Sequence, residues 1–229
     1  NRGLDLPDRL IVLKDSSAAL NAYIQEAFSN ANGILDRSYN LDSVFSLNAT
    51  DSGLIDVSAA QLRAINAQRQ SGLDFQAETF RLVDTVSNID SLINTLSRAT
   101  TAFSTSDLSL VTAFSSLNAD GGVIEANYFP EINTTQAAGL DNYISRQASD
   151  VVSHQTRQLG DGLLNVADTT DNLANLILTA TDSTPLDLGF VHRIIGGGTE
   201  SEVIELSYQQ FKSLRTAHDQ SGAGLTNLN

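Results

Sequence analysis

Phe75, Thr79, Leu82, Val86, Ile89, Ile93, Leu96, Thr100 and Phe103 follow one another in steps of four and three. Side chains at that spacing share one stripe of an α-helix, and about four repeats of it call for a partner along the whole length. The spacing therefore predicts one long helix over about 58–103. Its upstream half, with Leu62 and Ile65, is less regular and contains Gly72. At the rise of an α-helix such a segment would reach roughly 65 to 70 Å. That length exceeds the diameter of a compact domain of this size, so an elongated molecule is expected.

A second segment has the same rhythm. Leu159, Leu163, Val166, Thr170, Leu173, Ile177 and Ala180 repeat it, after Leu140, Ile144, Gln147 and Val151 upstream, and predict a helix over about 135–181. Gly160 and Gly162 place a kink in it, near the level of Gly72 if the two long helices run antiparallel. Pro7, Pro130 and Pro185 mark boundaries, because proline lacks a donor and clashes inside a helix. Shorter helices are expected over 8–32, stopped by Gly33, over 107–117, capped by Thr105 or Ser106, and over 200–218. The last would start at the capping box Thr199-Glu200-Ser201-Glu202 and bury Ile204, Tyr208, Phe211 and Leu214. Ser43–Leu47 reads as a short helix or a strand, Asn118–Gly122 as a turn, and Val123–Phe129 as extended chain. Phe190–Ile195 reads as a short apolar turn within a loop, and 220–229 as a frayed tail. No strong internal repeat is read. The expected fold is mainly α: residues 1–229 as a single elongated antiparallel helical bundle with two long helices and little or no sheet.

Composition narrows the setting. Acids outnumber bases 27 to 13, giving a net charge of -14, which repels phosphate backbones and makes nucleic acid and anionic membranes poor partners. Only 17% of residues are charged, so the polar surface must come largely from Ser, Thr, Asn and Gln. Cys, Met and Trp are absent, which removes disulfides, thiolate metal sites and thiol nucleophiles and suits an oxidising, extracytoplasmic setting. The missing Met suggests a removed leader or an excised piece of a longer chain. No stretch approaches the roughly 20 consecutive apolar residues of a membrane span. Two sequons, at Asn48 and Asn133, are no more than such a composition gives by chance.

Motifs that carry chemistry are missing. Asp150 and His154 have helical spacing for an ion pair or a metal, but no third ligand falls into step, and His192 and His218 stand apart. A phosphate loop needs a preceding strand and usually a following lysine, whereas Gly196-Gly197-Gly198 is followed by the negative charge of Thr199-Glu200 and reads as a hinge or linker. The turn at 118–122 fails the EF-hand pattern, since Ser116 and Asn127 would occupy its first and twelfth positions. The carboxylate pairs Asp168 with Asp171 and Glu200 with Glu202 sit at helix starts or on polar faces. No catalytic, cofactor or metal residue is therefore assigned, and no cofactor is expected. The function expected is an extracytoplasmic structural or assembly protein, a filament, surface or appendage subunit. It would work through helix–helix contacts and self-association. The alternative is a ligand-binding sensor bundle of a membrane receptor, with Arg69, Arg81 or Arg146 meeting an acidic ligand.

Overall fold

Short strands and short helices alternate along the chain. The computed structural model describes residues 11–27, 44–51, 53–70, 76–77, 80–101, 103–148, 162–180, 189–196 and 208. The first elements are β1 (Ile11–Asp15), α1 (Ser17–Ala27), β2 (Val44–Ala49), β3 (Ile55–Val57), α2 (Ala59–Gln70) and β4 (Gln76–Ala77). β5 (Phe80–Thr85), α3 (Val86–Ser97), β6 (Val111–Leu117) and β7 (Val123–Tyr128) follow. The last are β8 (Glu131–Ile132), α4 (Thr134–Ala148), β9 (Leu164–Asp168), α5 (Thr170–Ala180) and β10 (Val191–Gly196).

The chain divides into two units, Asn1–Ile89 with Phe103–Asn127, and Asp90–Ala102 with Tyr128–Asn229. In the first, β1, β2 and β4 form one parallel sheet in that order. A second sheet has the order β3-β5-β6-β7, with β3, β5 and β6 parallel. Strands of one sheet thus neighbour each other in chain order, each parallel step crossing over through other elements, so the chain winds in β–α coils. Register stacks like on like. Ile55, Phe80 and Val111 form one buried row, and Val57, Leu82 and Phe114 the next. Each such side chain contributes about 1.5–3 kcal/mol by leaving water. α1 lies against β1 and β3 with Leu20, Ile24 and Ala27 buried, and α2 faces β5 while Leu62 and Ile65 are buried.

In the second unit β8, β9 and β10 form a parallel sheet, and Ile132, Val166 and Ile194 share a row. α4 packs on β9 and α5. It also passes the end of α3 so closely that a Cβ on Gly139 would stand 2.1 Å from the Ser97 carbonyl oxygen. Only glycine fits there.

This architecture overturns the helical bundle, its coiled-coil contacts and the two long helices. The longest described helix is α4, with 15 residues. The stripe that begins at Phe75 is cut at Thr85: Leu82 belongs to strand β5, and only Val86, Ile89, Ile93 and Leu96 lie on α3. The physical reason is that a step of four satisfies strand alternation as well as a helical stripe. Phe80 and Leu82, two apart and both fully buried, decide for the strand. Likewise 135–181 contains α4, β9 and α5, with Val166 on the strand. The first helix starts at Ser17 because Ile11–Asp15 is a strand. β6 replaces the helix expected over 107–117, and β10 the turn at Phe190–Ile195. The strand reading of Ser43–Leu47 holds in β2, and the extended reading of Val123–Phe129 in β7. Tyr208, expected to be buried, is 79% exposed. Gly33, Gly72, Gly160, the capping box at Thr199 and the tail 220–229 lie outside the described residues.

Candidate functional site

β3 and β5 are parallel neighbours that lead straight into α2 and α3, and β8 and β9 likewise into α4 and α5, so each pair brings two helix starts to one edge of its sheet. In open α/β sheets that edge collects helix N-termini with their unpaired N–H groups, and anionic ligands ordinarily settle there. In this protein the positions are filled by the chain's own aspartates.

Asp84 closes β5. Its Oδ1 accepts from the Thr85 N–H at 2.8 Å and from Asn88 Nδ2 at 2.7 Å, while its Oδ2 accepts from the Ala59 N–H at 2.9 Å. One carboxylate thus serves the start of its own helix, α3, and the start of α2 in the preceding coil. Asp168 closes β9 in the same way. Its Oδ1 accepts from the Thr169 N–H (2.8 Å) and Asn172 Nδ2 (2.7 Å), and its Oδ2 from the N–H (3.0 Å) and hydroxyl (2.7 Å) of Thr134 at the start of α4. Asp51, just beyond β2, accepts from the Ser17 N–H and hydroxyl at the start of α1 and from the Gly53 N–H.

The helices that receive these carboxylates carry caps of their own. Ser58 and Gln61 form a reciprocal capping box, and Asn133 and Gln136 form another. Thr85 and Thr169 accept from the N–H of Asn88 and Asn172. The two halves therefore share a sequence. Asp84-Thr85-Val86-Ser87-Asn88-Ile89 parallels Asp168-Thr169-Thr170-Asp171-Asn172-Leu173, with Leu92-Ile93 matched by Leu176-Ile177. The match is a short, local recurrence of one capping segment.

Electrostatics follow the donors. Burial pushes the Asp168 carboxyl up, but hydrogen bonds from Asn172, from the Thr134 hydroxyl and from the N–H groups of Thr134 and Thr169 outweigh it and hold the group at about 2. The N–H groups of Ser17 and Gly53 hold Asp51 below its ordinary value. Burial alone pushes Asp90 up.

The arginines considered for an acidic ligand are engaged within the protein. Arg81 on β5 meets its register partner Asp56 on β3 with Nε–Oδ1 and Nη2–Oδ2 distances of 2.7 and 2.9 Å. That hydrogen-bonded pairing raises the arginine further. Arg69 is buried beside Asp107 (3.7 Å) and donates to Asn66 Oδ1. Asn66 in turn donates to the carbonyls of Thr105 and Asp107, which fastens that loop to α2. Arg146 donates to the carbonyl of Ala99, just beyond the end of α3. His192 stacks on Phe129 with ring centroids 3.9 Å apart. Asn118 Oδ1 accepts from the N–H of Asp120 and Gly122, so the hairpin turn is tied internally, with Gly121 at φ 82°. Asp150, His154, His218, Glu200 and Glu202 lie outside the described residues. Among the described residues no group of three or more His, Asp or Glu is placed to hold a metal ion, and no helix is long and apolar enough to cross a membrane.

Asp51 and Asp84 are absent from the motifs read in the sequence, and Asp168 enters there only as one of a carboxylate pair at a helix start or on a polar face. The signal that could have found two of them is Asp-Thr-x-x-Asn followed by Ile or Leu, which occurs at 84 and again at 168. Set against protein-family models, curated proteins and solved structures, the chain matches none.

Proposed function

We propose that this chain is an extracytoplasmic structural or assembly protein, a subunit whose work is to hold a shape and associate with its own kind. One observation carries the reading. In each of the three sheets an aspartate stands at the strand ends where such folds ordinarily take a ligand, Asp51 beyond β2, Asp84 closing β5 and Asp168 closing β9, and each is bonded to a helix start. Carboxylates in that place make successive coils rigid with respect to each other and leave the helix termini they fill closed to a substrate anion. The engagement of Arg69, Arg81 and Arg146 within the protein argues in the same direction and against a receptor for small acids. A surface drawn from uncharged polar residues and a chain without sulfur fit an exposed, oxidising location. The contacts between subunits would involve sheet edges or the polar outer faces of the coils.

Sedimentation of the chain from micromolar to millimolar concentration tests the reading. Average mass should rise with concentration. A monomer throughout, whose melting temperature climbs on adding small carboxylic or amino acids, would replace it with a sensor.

A further inference from the structure

Strand β7 differs from the other described strands. It is the last strand of the sheet β3-β5-β6-β7, so among the described residues its outer edge has no strand beside it. Residues 123–127 are exposed on both faces, with Val123 at 63% and Ile124 at 65%. The usual protections of an edge are few: Val123–Tyr128 contains no lysine and no proline, and its single charge is Glu125. An edge of this kind is a template for another strand.

We propose that β7 is the self-association surface, pairing antiparallel with β7 of a second copy about a twofold axis through Ala126. This rests on the assembly reading above and names its surface. The strand's own sequence selects the occupant. In that register Ile124 lies opposite the second Tyr128, Glu125 opposite Asn127, and Ala126 opposite Ala126. Directly opposed residues share a face, whereas neighbours along a strand alternate. Each Glu125 therefore stands opposite an asparagine, and no like charges are directly opposed. Ile124 is covered by an aromatic ring. Parallel in-register pairing would set Glu125 against Glu125, which is destabilising. A seam this short between chains each of charge -14 belongs to the weak, reversible class of interface and should strengthen as salt screens the repulsion.

The test compares the unmodified chain with the double variant Val123→Lys, Ile124→Lys by sedimentation velocity at several concentrations and salt levels. It is paired with hydrogen exchange of the β7 amides in the unmodified chain at low and high concentration. Both side chains are mostly exposed, so the fold tolerates the change. The lysines also lower the net negative charge, so a general charge effect would strengthen association. The expected result is a self-association that the variant weakens by about tenfold or more, as edge lysines block strand pairing. Protection of 123–128 should grow with concentration. Equal association by the variant, with exchange in β7 independent of concentration, would overturn β7 as the surface and leave the assembly reading standing. A monomeric unmodified chain at every concentration and salt level would overturn both. Should the variant fail to fold, the exchange measurement on the unmodified chain decides alone.

Discussion

Asp168 joins two coils through one side chain, and its removal shows what that junction contributes. Asp168→Ala leaves the Thr134 N–H and hydroxyl, the Thr169 N–H and the Asn172 amide without their acceptor. The expected loss is about 1–2 kcal/mol in a urea titration at neutral pH, the usual cost of a helix cap. pH gives this a sign. The carboxyl is held at about 2 against an ordinary 3.8, so its contribution is fully present above about 4 and disappears as pH falls through 2. The stability curves of the native chain and Asp168→Ala should therefore converge across that window. Asp51, also lowered, adds loss in the same direction, while Asp90, raised by burial, opposes it. A gap between the curves that stays constant down to pH 2 would mean that the tether is not electrostatic. The aspartates were legible in principle, since Asp-Thr-x-x-Asn is a capping pattern repeated within one chain. A search for catalytic spacing passes over them because their partners are mostly backbone N–H groups, which have no letter in the sequence.

At the scale of the element, one stripe hid two structures. Leu82 and Val86 are equivalent in a heptad, yet Leu82 is fully buried in β5 and Val86 is 36% exposed at the start of α3. Leu82→Ala should cost about 2–5 kcal/mol, as core leucines do, and Val86→Ala well under half of that. Chemical denaturation of the two variants checks it; equal losses would restore the continuous helix. Local chemistry was legible where it was unambiguous. The Asn118–Gly122 turn and the extended chain after it could be read because Gly-rich turns and β-branched residues allow few alternatives. The helix over α2 and the polar start of α5 could be read as well. Strands as short as β3 or β8 carry too few residues for a period to be seen. Gly139 makes a separate point about packing. Gly139→Ala should destabilise by about 1–3 kcal/mol although alanine is the better helix former, because the Ser97 carbonyl lies in the way.

For the whole molecule, the sequence offered composition and not architecture. Parallel coils depend on which strand lies beside which, and that is decided by rows such as Ile55, Phe80 and Val111, whose members stand a full coil apart in the chain. No window of local periodicity contains such a row. That recurrence was the available route, since a motif returning at the same place in two halves implies the same coil twice. Within each unit a carboxylate closing one strand also binds the helix start of its neighbour, and carbon-detected NMR of the aspartate side chains addresses that directly. A titration of assigned carboxyl resonances in the folded chain should find Asp168 changing near pH 2, well below the ordinary aspartate value of 3.8. Titration of Asp168 close to 3.8 would mean that the Thr134 and Asn172 bonds are not made, and that this carboxylate does not join α4 to β9.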